Sequence, residues 1–194
     1  MAIFNAPTKK YAGYIFDLDG TLAHSMPVHY KAWVRATEPF GVAMTEDLFY
    51  SLGGVPTRRI VEILNERFRC SMDPELVADQ KESFFLEMMT TMQPIEEVAE
   101  FARQVATYAE VAVASGGTLP IVERTLRAVG FKDFFPVIVT SEQVERGKPF
   151  PDMFLEAARR MRVEPTACLV IEDSPAGIKA AEAAGMDHVL VGRP

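Results

Sequence analysis

The segment Tyr14-Ile15-Phe16-Asp17-Leu18-Asp19-Gly20-Thr21-Leu22 joins a short run of large apolar residues to two acids that are separated by a single leucine. A brief apolar run that stops at polar and glycine residues is typical of a strand buried on both faces of a parallel sheet. The acids follow that strand directly. In open parallel sheets, ligands bind just beyond the carboxyl ends of the strands. The segment therefore predicts both a central strand and a functional site at its end.

Further apolar, β-branched runs recur along the chain and alternate with helical patterns. They lie at Val111 to Ala114, Val137 to Thr140, Cys168 to Ile171 and Val189 to Val191. Apolar residues at helical spacing occupy the intervals around 95–105, 121–129 and 154–161, and Gly130 and Gly185 are typical of helix ends. This alternation predicts an α/β fold with a doubly wound, Rossmann-like parallel sheet.

One long interval interrupts the alternation of strands and helices. Residues 23–93 contain no convincing strand, and turn-prone residues divide them into about four helical segments. Their Met and Phe residues are typical of the core of a helical bundle. We therefore expect a helical cap domain at 23–93, inserted into a core domain made of residues 1–22 and 94–194.

Composition narrows the class of protein. The 194 residues are 48% hydrophobic and carry a formal net charge of −7, which argues against electrostatically driven binding to nucleic acid. No apolar run approaches the roughly 20 residues that span a bilayer, and residues 1–10 lack the apolar stretch of a signal peptide. Cys70 and Cys168 lack metal-ligand spacing. We expect a cytoplasmic monomer that binds neither nucleic acid nor membranes.

The ends of four predicted strands supply chemically active side chains. Asp17 and Asp19 follow the first strand, and Ser115-Gly116-Gly117 follow the second. Lys148-Pro149 come shortly after the third strand, and Glu172-Asp173 follow the fourth. Because these ends share one edge of a parallel sheet, the sequence predicts a single site that combines carboxylates, a hydroxyl and an ammonium.

Carboxylates gathered in one cleft repel one another unless a hard divalent cation lies between them, and oxygen ligands suit magnesium. We expect Mg²⁺ between Asp17, Asp173 and a substrate phosphate. Asp17 is then the best-placed nucleophile, and Asp19 can act as general acid and base. Lys148 would hold the phosphate, with hydrogen bonds from Thr21, Ser115 and the amides around Gly116.

Each of these features also has a purely structural interpretation. An aspartate after a strand, such as Asp17, is often a turn former or a helix N-cap. Asp173-Ser174-Pro175 is compatible with a helix N-terminus, and Lys148-Pro149 with a solvated loop. Their occurrence together at four strand ends favours the functional interpretation.

The four segments resemble the motifs of the haloacid dehalogenase superfamily of phosphatases. Asp-Leu-Asp-Gly-Thr at 17–21 is similar to the first motif, Ser115 to the second, Lys148 to the third and Glu172-Asp173 to the fourth. The resemblance implies an aspartyl-phosphate mechanism and a mobile helical cap. It also implies a metal site built from Asp17, the backbone carbonyl of Asp19, and the Glu172-Asp173 pair, and a cis Lys148–Pro149 bond.

Within the superfamily, the sequence is most similar to β-phosphoglucomutases and small sugar-phosphate phosphatases. The resemblance assigns His29, Gly54, Arg58 and Lys81 to the cap's substrate contacts. The loop at 54–59 departs from the mutase pattern and resembles that of bacterial fructose-1-phosphatases. Two structural alternatives stay open: His29 as a partly buried helix residue, and Lys81 on a solvated helix face.

Three functions follow from these observations. The first is magnesium-dependent hydrolysis of a small sugar phosphate, with fructose 1-phosphate as the leading candidate. The second is a mutase that interconverts β-glucose 1-phosphate and glucose 6-phosphate. The third, from another class, is a non-catalytic protein that binds a phosphate ligand with the same fold.

Overall fold

The computed structural model describes residues 4–53, 55–89 and 92–192. The chain divides into two compact units, whose bounds are Met1–His24 with Met92–Pro194, and Ser25–Thr91. The boundaries expected from the sequence fall after residues 22 and 93, against 24 and 91 for these units.

The first unit is built on five parallel strands in the order β3-β2-β1-β4-β5. The strands are β1 (Gly13–Phe16), β2 (Glu110–Ser115), β3 (Val137–Thr140), β4 (Cys168–Glu172) and β5 (Asp187–Leu190). Every residue of β1 and β4 is buried, because β1 is central and β4 pairs on both sides. The predicted fold class, a doubly wound parallel sheet, is confirmed.

Helices connect the strands as the sequence periodicity predicts. They are α5 (Glu96–Val105), α6 (Leu119–Ala128), α7 (Asp152–Met161) and α8 (Pro175–Ala183). The buried face of α7, with Phe154, Ala157 and Met161, packs with Ile15 and Val170 into one hydrophobic core. Gly130 and Gly185 follow α6 and α8 with φ of 81° and 70°, a conformation that favours glycine at helix ends.

The second unit contains the α-helices α1 (Met26–Thr37), α2 (Glu46–Ser51), α3 (Thr57–Phe68) and α4 (Pro74–Met88) within its described residues. A separate core lies between them, in which Trp33, Leu48, Val61 and Val77 are buried. Phe40 and Phe68 depart from the expectation that the Phe residues of this interval lie in the core, because both remain exposed.

Within the described ranges, none of the helices has both the length and the apolar character that a membrane crossing requires.

Candidate active site

The site lies at the carboxyl edge of the sheet, where strand order determines which side chains meet. β1 pairs with β2 on one side and with β4 on the other. The backbone N–H of Asp17 donates to the carbonyl of Ile171 at 2.9 Å, which extends the ladder to the first acid. Asp17 therefore follows the central strand, between Ser115 at the end of β2 and Glu172 at the end of β4.

A buried lysine connects these strand ends. The ammonium nitrogen of Lys148 lies 2.6 Å from Asp17 Oδ1 and 2.7 Å from Glu172 Oε1. It also donates to the carbonyl of Ala114, at 3.1 Å. Since an ammonium has three protons, all three are engaged by acceptors of the first unit. The solvated-loop interpretation of Lys148 is wrong. The Lys148–Pro149 bond is cis, as the resemblance implied.

The electrostatics of the site are dominated by burial and by the proximity of like charges. Burial, then the charges of neighbouring acids, raise the pKa of Asp17 to about 7, against the opposing effect of Lys148. Burial and the charges of Asp17 and Glu172 raise the pKa of Asp173 to about 8. Burial lowers the pKa of Lys148, but the two adjacent carboxylates outweigh it and leave that pKa raised. The positive charge of Lys148 therefore does not fully offset the negative charge of the carboxylates around it.

The acidic residues form a group that could hold a metal ion. Asp17, Glu172 and Asp173 each offer an oxygen, and these oxygens lie within 4.8 Å of one another. Burial and the charges of neighbouring acids raise the pKa values of Asp17 and Asp173, so a cation bound between these acids would favour their ionised forms. Buried carboxylate oxygens are the ligands of hard divalent cations, so this group is chemically suited to one.

Asp19 lies in the turn that follows Asp17 and is half-buried. The turn is closed by hydrogen bonds from the N–H groups of Leu22 and Ala23 to the carbonyl of Leu18. The N–H of Gly20 donates to the carbonyl of Ala23 at 2.9 Å. This compact turn fixes the backbone of Asp19 two residues beyond the proposed nucleophile.

The residues predicted to bind phosphate occupy different environments. Ser115 is buried, and its hydroxyl oxygen accepts from the N–H of Gly117 at 3.2 Å, an interaction that does not use the hydroxyl proton. Gly116 is exposed. The hydroxyl of Thr21 is buried, and no described residue forms a hydrogen bond with it. Their contacts to phosphate remain a prediction.

Glu172 is held more firmly than the sequence indicated. Its Oε2 accepts from the backbone N–H of Ser174 at 2.5 Å, while Oε1 accepts from Lys148. Ser174 also caps α8, accepting from the N–H of Gly177 at 3.0 Å, so the helix-start interpretation of this segment is correct as well. A Cβ on Gly177 would collide with the Glu172 side chain. Gly177 is a site residue that sequence reasoning missed, although a glycine in the first turn of a helix was a usable signal.

The second unit contains a polar cluster formed by two of the predicted cap residues. Lys81 in α4 is buried, with its nitrogen 3.0 Å from His29 Nδ1 and 3.0 Å from Glu82 Oε1. His29 in α1 stacks on the ring of Phe85, with centroids 3.9 Å apart and planes 4° from parallel. The solvated-face interpretation of Lys81 is therefore wrong, and His29 is partly buried, as that alternative held.

The other two predicted cap residues, Gly54 and Arg58, have no described contact that indicates a role in substrate binding. Gly54 lies outside the described residues. Arg58 is exposed near the start of α3, and its guanidinium forms an ion pair with Glu75 at 2.7 Å. A substrate contact from Arg58 therefore remains a prediction.

Comparison with known proteins identifies the family. The family model described as haloacid dehalogenase-like hydrolase matches residues 14–191, which is most of the chain. The chain belongs to this family. The resemblance seen in the four motifs is thus confirmed, and with it the prediction that the chain is an enzyme of the hydrolase class.

Three proteins illustrate what this haloacid dehalogenase-like hydrolase is similar to. The fructose-1-phosphate phosphatase YqaB of Escherichia coli is 36% identical over 94% of this chain and 97% of its own length. A phosphorylated carbohydrates phosphatase of Thermotoga maritima is 31% identical over 90% of this chain and 82% of its own. A crystal structure of β-phosphoglucomutase from Clostridium difficile has a TM-score of 0.81, covers 93% of this chain and 84% of its own, and at 23% identity shows a shared fold.

Proposed function

We propose that the chain hydrolyses a small sugar monophosphate, with fructose 1-phosphate as the leading candidate, through a phosphorylated Asp17 and with Mg²⁺. The chain is a phosphoric monoester hydrolase, since the family is one of hydrolases and the relatives from Escherichia coli and Thermotoga maritima are named as phosphatases. One observation carries the mechanism. Asp17 is buried, contacts Lys148 at 2.6 Å, and stands within a group of three acids that suits a divalent cation.

In the proposed reaction, a carboxylate oxygen of Asp17 attacks phosphorus and the bond from phosphorus to the sugar oxygen breaks. Asp19 donates a proton to the departing sugar oxygen. Asp19 then takes a proton from a water molecule, which attacks phosphorus and breaks its bond to Asp17. Inorganic phosphate leaves, and both aspartates return to their starting states.

Mg²⁺ would be held by Asp17 and Asp173, with Glu172 and the backbone carbonyl of Asp19 as further candidate ligands, and it would neutralise charge on the phosphoryl oxygens. Lys148 offsets part of the charge of Asp17 and Glu172, which favours the ionised form of the nucleophile and orients it. Ser115, Thr21 and the amides near Gly116 are the proposed donors to phosphoryl oxygens.

The fructose 1-phosphate assignment is supported by similarity to YqaB over nearly the full length of both chains. It is tested by phosphate release over a panel of sugar 1-phosphates and 6-phosphates with Mg²⁺. We expect the highest kcat/KM for fructose 1-phosphate. A higher value for another sugar phosphate would replace that assignment, and activity unaffected by EDTA would contradict the metal requirement.

A β-phosphoglucomutase is the second candidate. It is supported by the contact between His29 and Lys81, two positions that the sequence resemblance assigns to substrate binding in such mutases. The two candidates differ in whether water or a sugar hydroxyl takes the phosphoryl group. Conversion of β-glucose 1-phosphate to glucose 6-phosphate without net phosphate release would favour the mutase.

A further inference from the structure

The inference concerns the polar cluster of the second unit. Lys81 is only 4% exposed, and its ammonium lies 5.5 Å from the ring centroid of Phe85 and 5.8 Å from that of Trp33. Burying an ammonium is costly unless an anion compensates it. The carboxylate of Glu82, 3.0 Å from the Lys81 nitrogen, supplies that anion. Side chains of adjacent helix residues normally point in different directions, so this contact depends on the conformations of both side chains.

The imidazole of His29 adds no charge to this pair. An ammonium can only donate, so the nitrogen that meets Lys81, Nδ1, must carry a lone pair. The proton of the neutral ring is then on Nε2. Lys81 and Glu82 therefore cancel each other, and the cluster is electrically neutral while presenting hydrogen-bonding groups.

The carboxylate of Glu82 is incompletely satisfied. Its Oε1 accepts from Lys81 and, at 3.4 Å, from the hydroxyl of Thr57. Its Oε2 is buried, and no described residue donates to it. A buried carboxylate oxygen without a donor favours a ligand that brings one, such as a hydroxyl, and disfavours a second anion.

We propose that Glu82 is a specificity-determining residue that selects substrates with an uncharged, hydroxyl-bearing body over substrates with a second phosphate. The inference rests on the proposed function and on the substrate-binding role that the sequence resemblance implies for Lys81 and His29. Lys81 alone would attract a second phosphate, whereas the Lys81–Glu82 pair does not. Arg58, the other predicted cap cation, is likewise paired with an acid, Glu75.

The test compares kcat/KM for fructose 1-phosphate and fructose 1,6-bisphosphate in the wild type, in Glu82→Gln and in Glu87→Gln. Glu87 lies on the same helix and pairs with Arg35 on the surface, so its substitution removes one charge without touching the cluster. The wild type should prefer the monophosphate, and Glu82→Gln should reduce that preference at least about tenfold. Glu87→Gln should preserve it, and Glu82→Asp, which keeps the charge, should retain most of it.

Equal use of both substrates by the wild type would overturn the inference, as would the same preference in Glu82→Gln and Glu87→Gln. Calorimetric titration with inorganic phosphate provides a readout that does not depend on turnover. Glu82→Gln should bind one more phosphate per chain than Glu82→Asp, and equal stoichiometry would contradict the proposal. A wild type that hydrolyses no sugar phosphate refutes the proposed function instead, and the titration still decides the role of Glu82.

Discussion

Lys148 Nζ lies 2.6 Å from Asp17 Oδ1, and each of the two side chains is more than nine-tenths buried. The pair spans 131 residues of sequence. Burial keeps the pKa of Asp17 raised despite this contact, and the charge of Glu172, which shares Lys148 with Asp17, raises it further. The site is therefore prepared to gain a further positive charge.

Replacing Asp17 by Asn should lower turnover at least about 10,000-fold, because the amide cannot form the acyl-phosphate. The substitution is nearly isosteric, so the unfolding midpoint should change little. Phosphate release and thermal unfolding measure the two effects. Asp187→Asn, at an exposed acid on β5, is the matched control and should retain activity. Substantial turnover by Asp17→Asn would refute the nucleophile assignment.

Replacing Asp19 by Asn should affect substrates according to their leaving groups. A general acid contributes about 100- to 10,000-fold for sugar esters, whose leaving oxygen needs a proton. The phenolate that leaves from an aryl ester of an acidic phenol needs little protonation. The transfer of phosphate from such an ester to Asp17 should therefore be slowed much less than the transfer from a sugar ester. The burst of phenol release reports that step separately from hydrolysis. Equal slowing of both substrate types would argue against proton transfer by Asp19.

Magnesium binding should strengthen as pH rises from 6 to 8. The pKa values of Asp17 and Asp173 are raised to about 7 and 8, so both acids are partly protonated near neutral pH and must lose protons to bind a cation. Without metal, ionising these two groups disfavours the folded state, so their contribution to stability declines as pH rises through this range. The gain in melting temperature on adding Mg²⁺ should thus be larger at pH 8 than at pH 6. A gain that is independent of pH would contradict this.

Lys148→Met should destabilise the metal-free protein by about 3–5 kcal/mol, because it leaves Asp17 and Glu172 buried without their shared cation. Urea unfolding measures the loss. Arg146→Met is the control, since Arg146 is an exposed residue of the same loop that pairs with Asp152 at the start of α7, and it should change stability far less. If the two variants were equally stable, the buried network would not contribute as we infer.

Gly177→Ala should cost about 1–3 kcal/mol of stability and reduce activity, since the added methyl must displace Glu172 from its contacts with Lys148 and Ser174. Gly147→Ala is the stability control, because nothing lies within 4 Å of a Cβ built there. An unchanged melting temperature in Gly177→Ala would mean that Glu172 can move at little cost.

The sheet could be predicted from the sequence because parallel strands that are buried on both faces consist of continuous apolar runs. The prediction was least accurate at β5, expected at 189–191 and observed at Asp187–Leu190. β5 is an edge strand that begins with exposed Asp187 and His188, so its apolar signal is short. The proximity of Asp17 and Glu172 followed from strand order, whereas Lys148 reaches them from the loop that follows β3.

What the sequence could not supply were contacts that depend on packing between distant segments. Lys81 lies in a helix rich in charged residues, and nothing local indicates that it is buried against His29, 52 residues away. The contact between Glu172 and Gly177 is local by comparison, and the glycine in the first turn of α8 was a sequence signal for it.

The central position of β1 determines how the enzyme tolerates amino-acid substitutions in its sheet. Asp17 follows a strand with a ladder on each side, whereas β3 and β5 are each paired along one edge. Substitutions that loosen β3 or β5 should reduce the number of active molecules while leaving the turnover of each intact molecule almost unchanged. Genetic variation at the sheet margins would thus alter abundance, and variation beside β1 would alter chemistry.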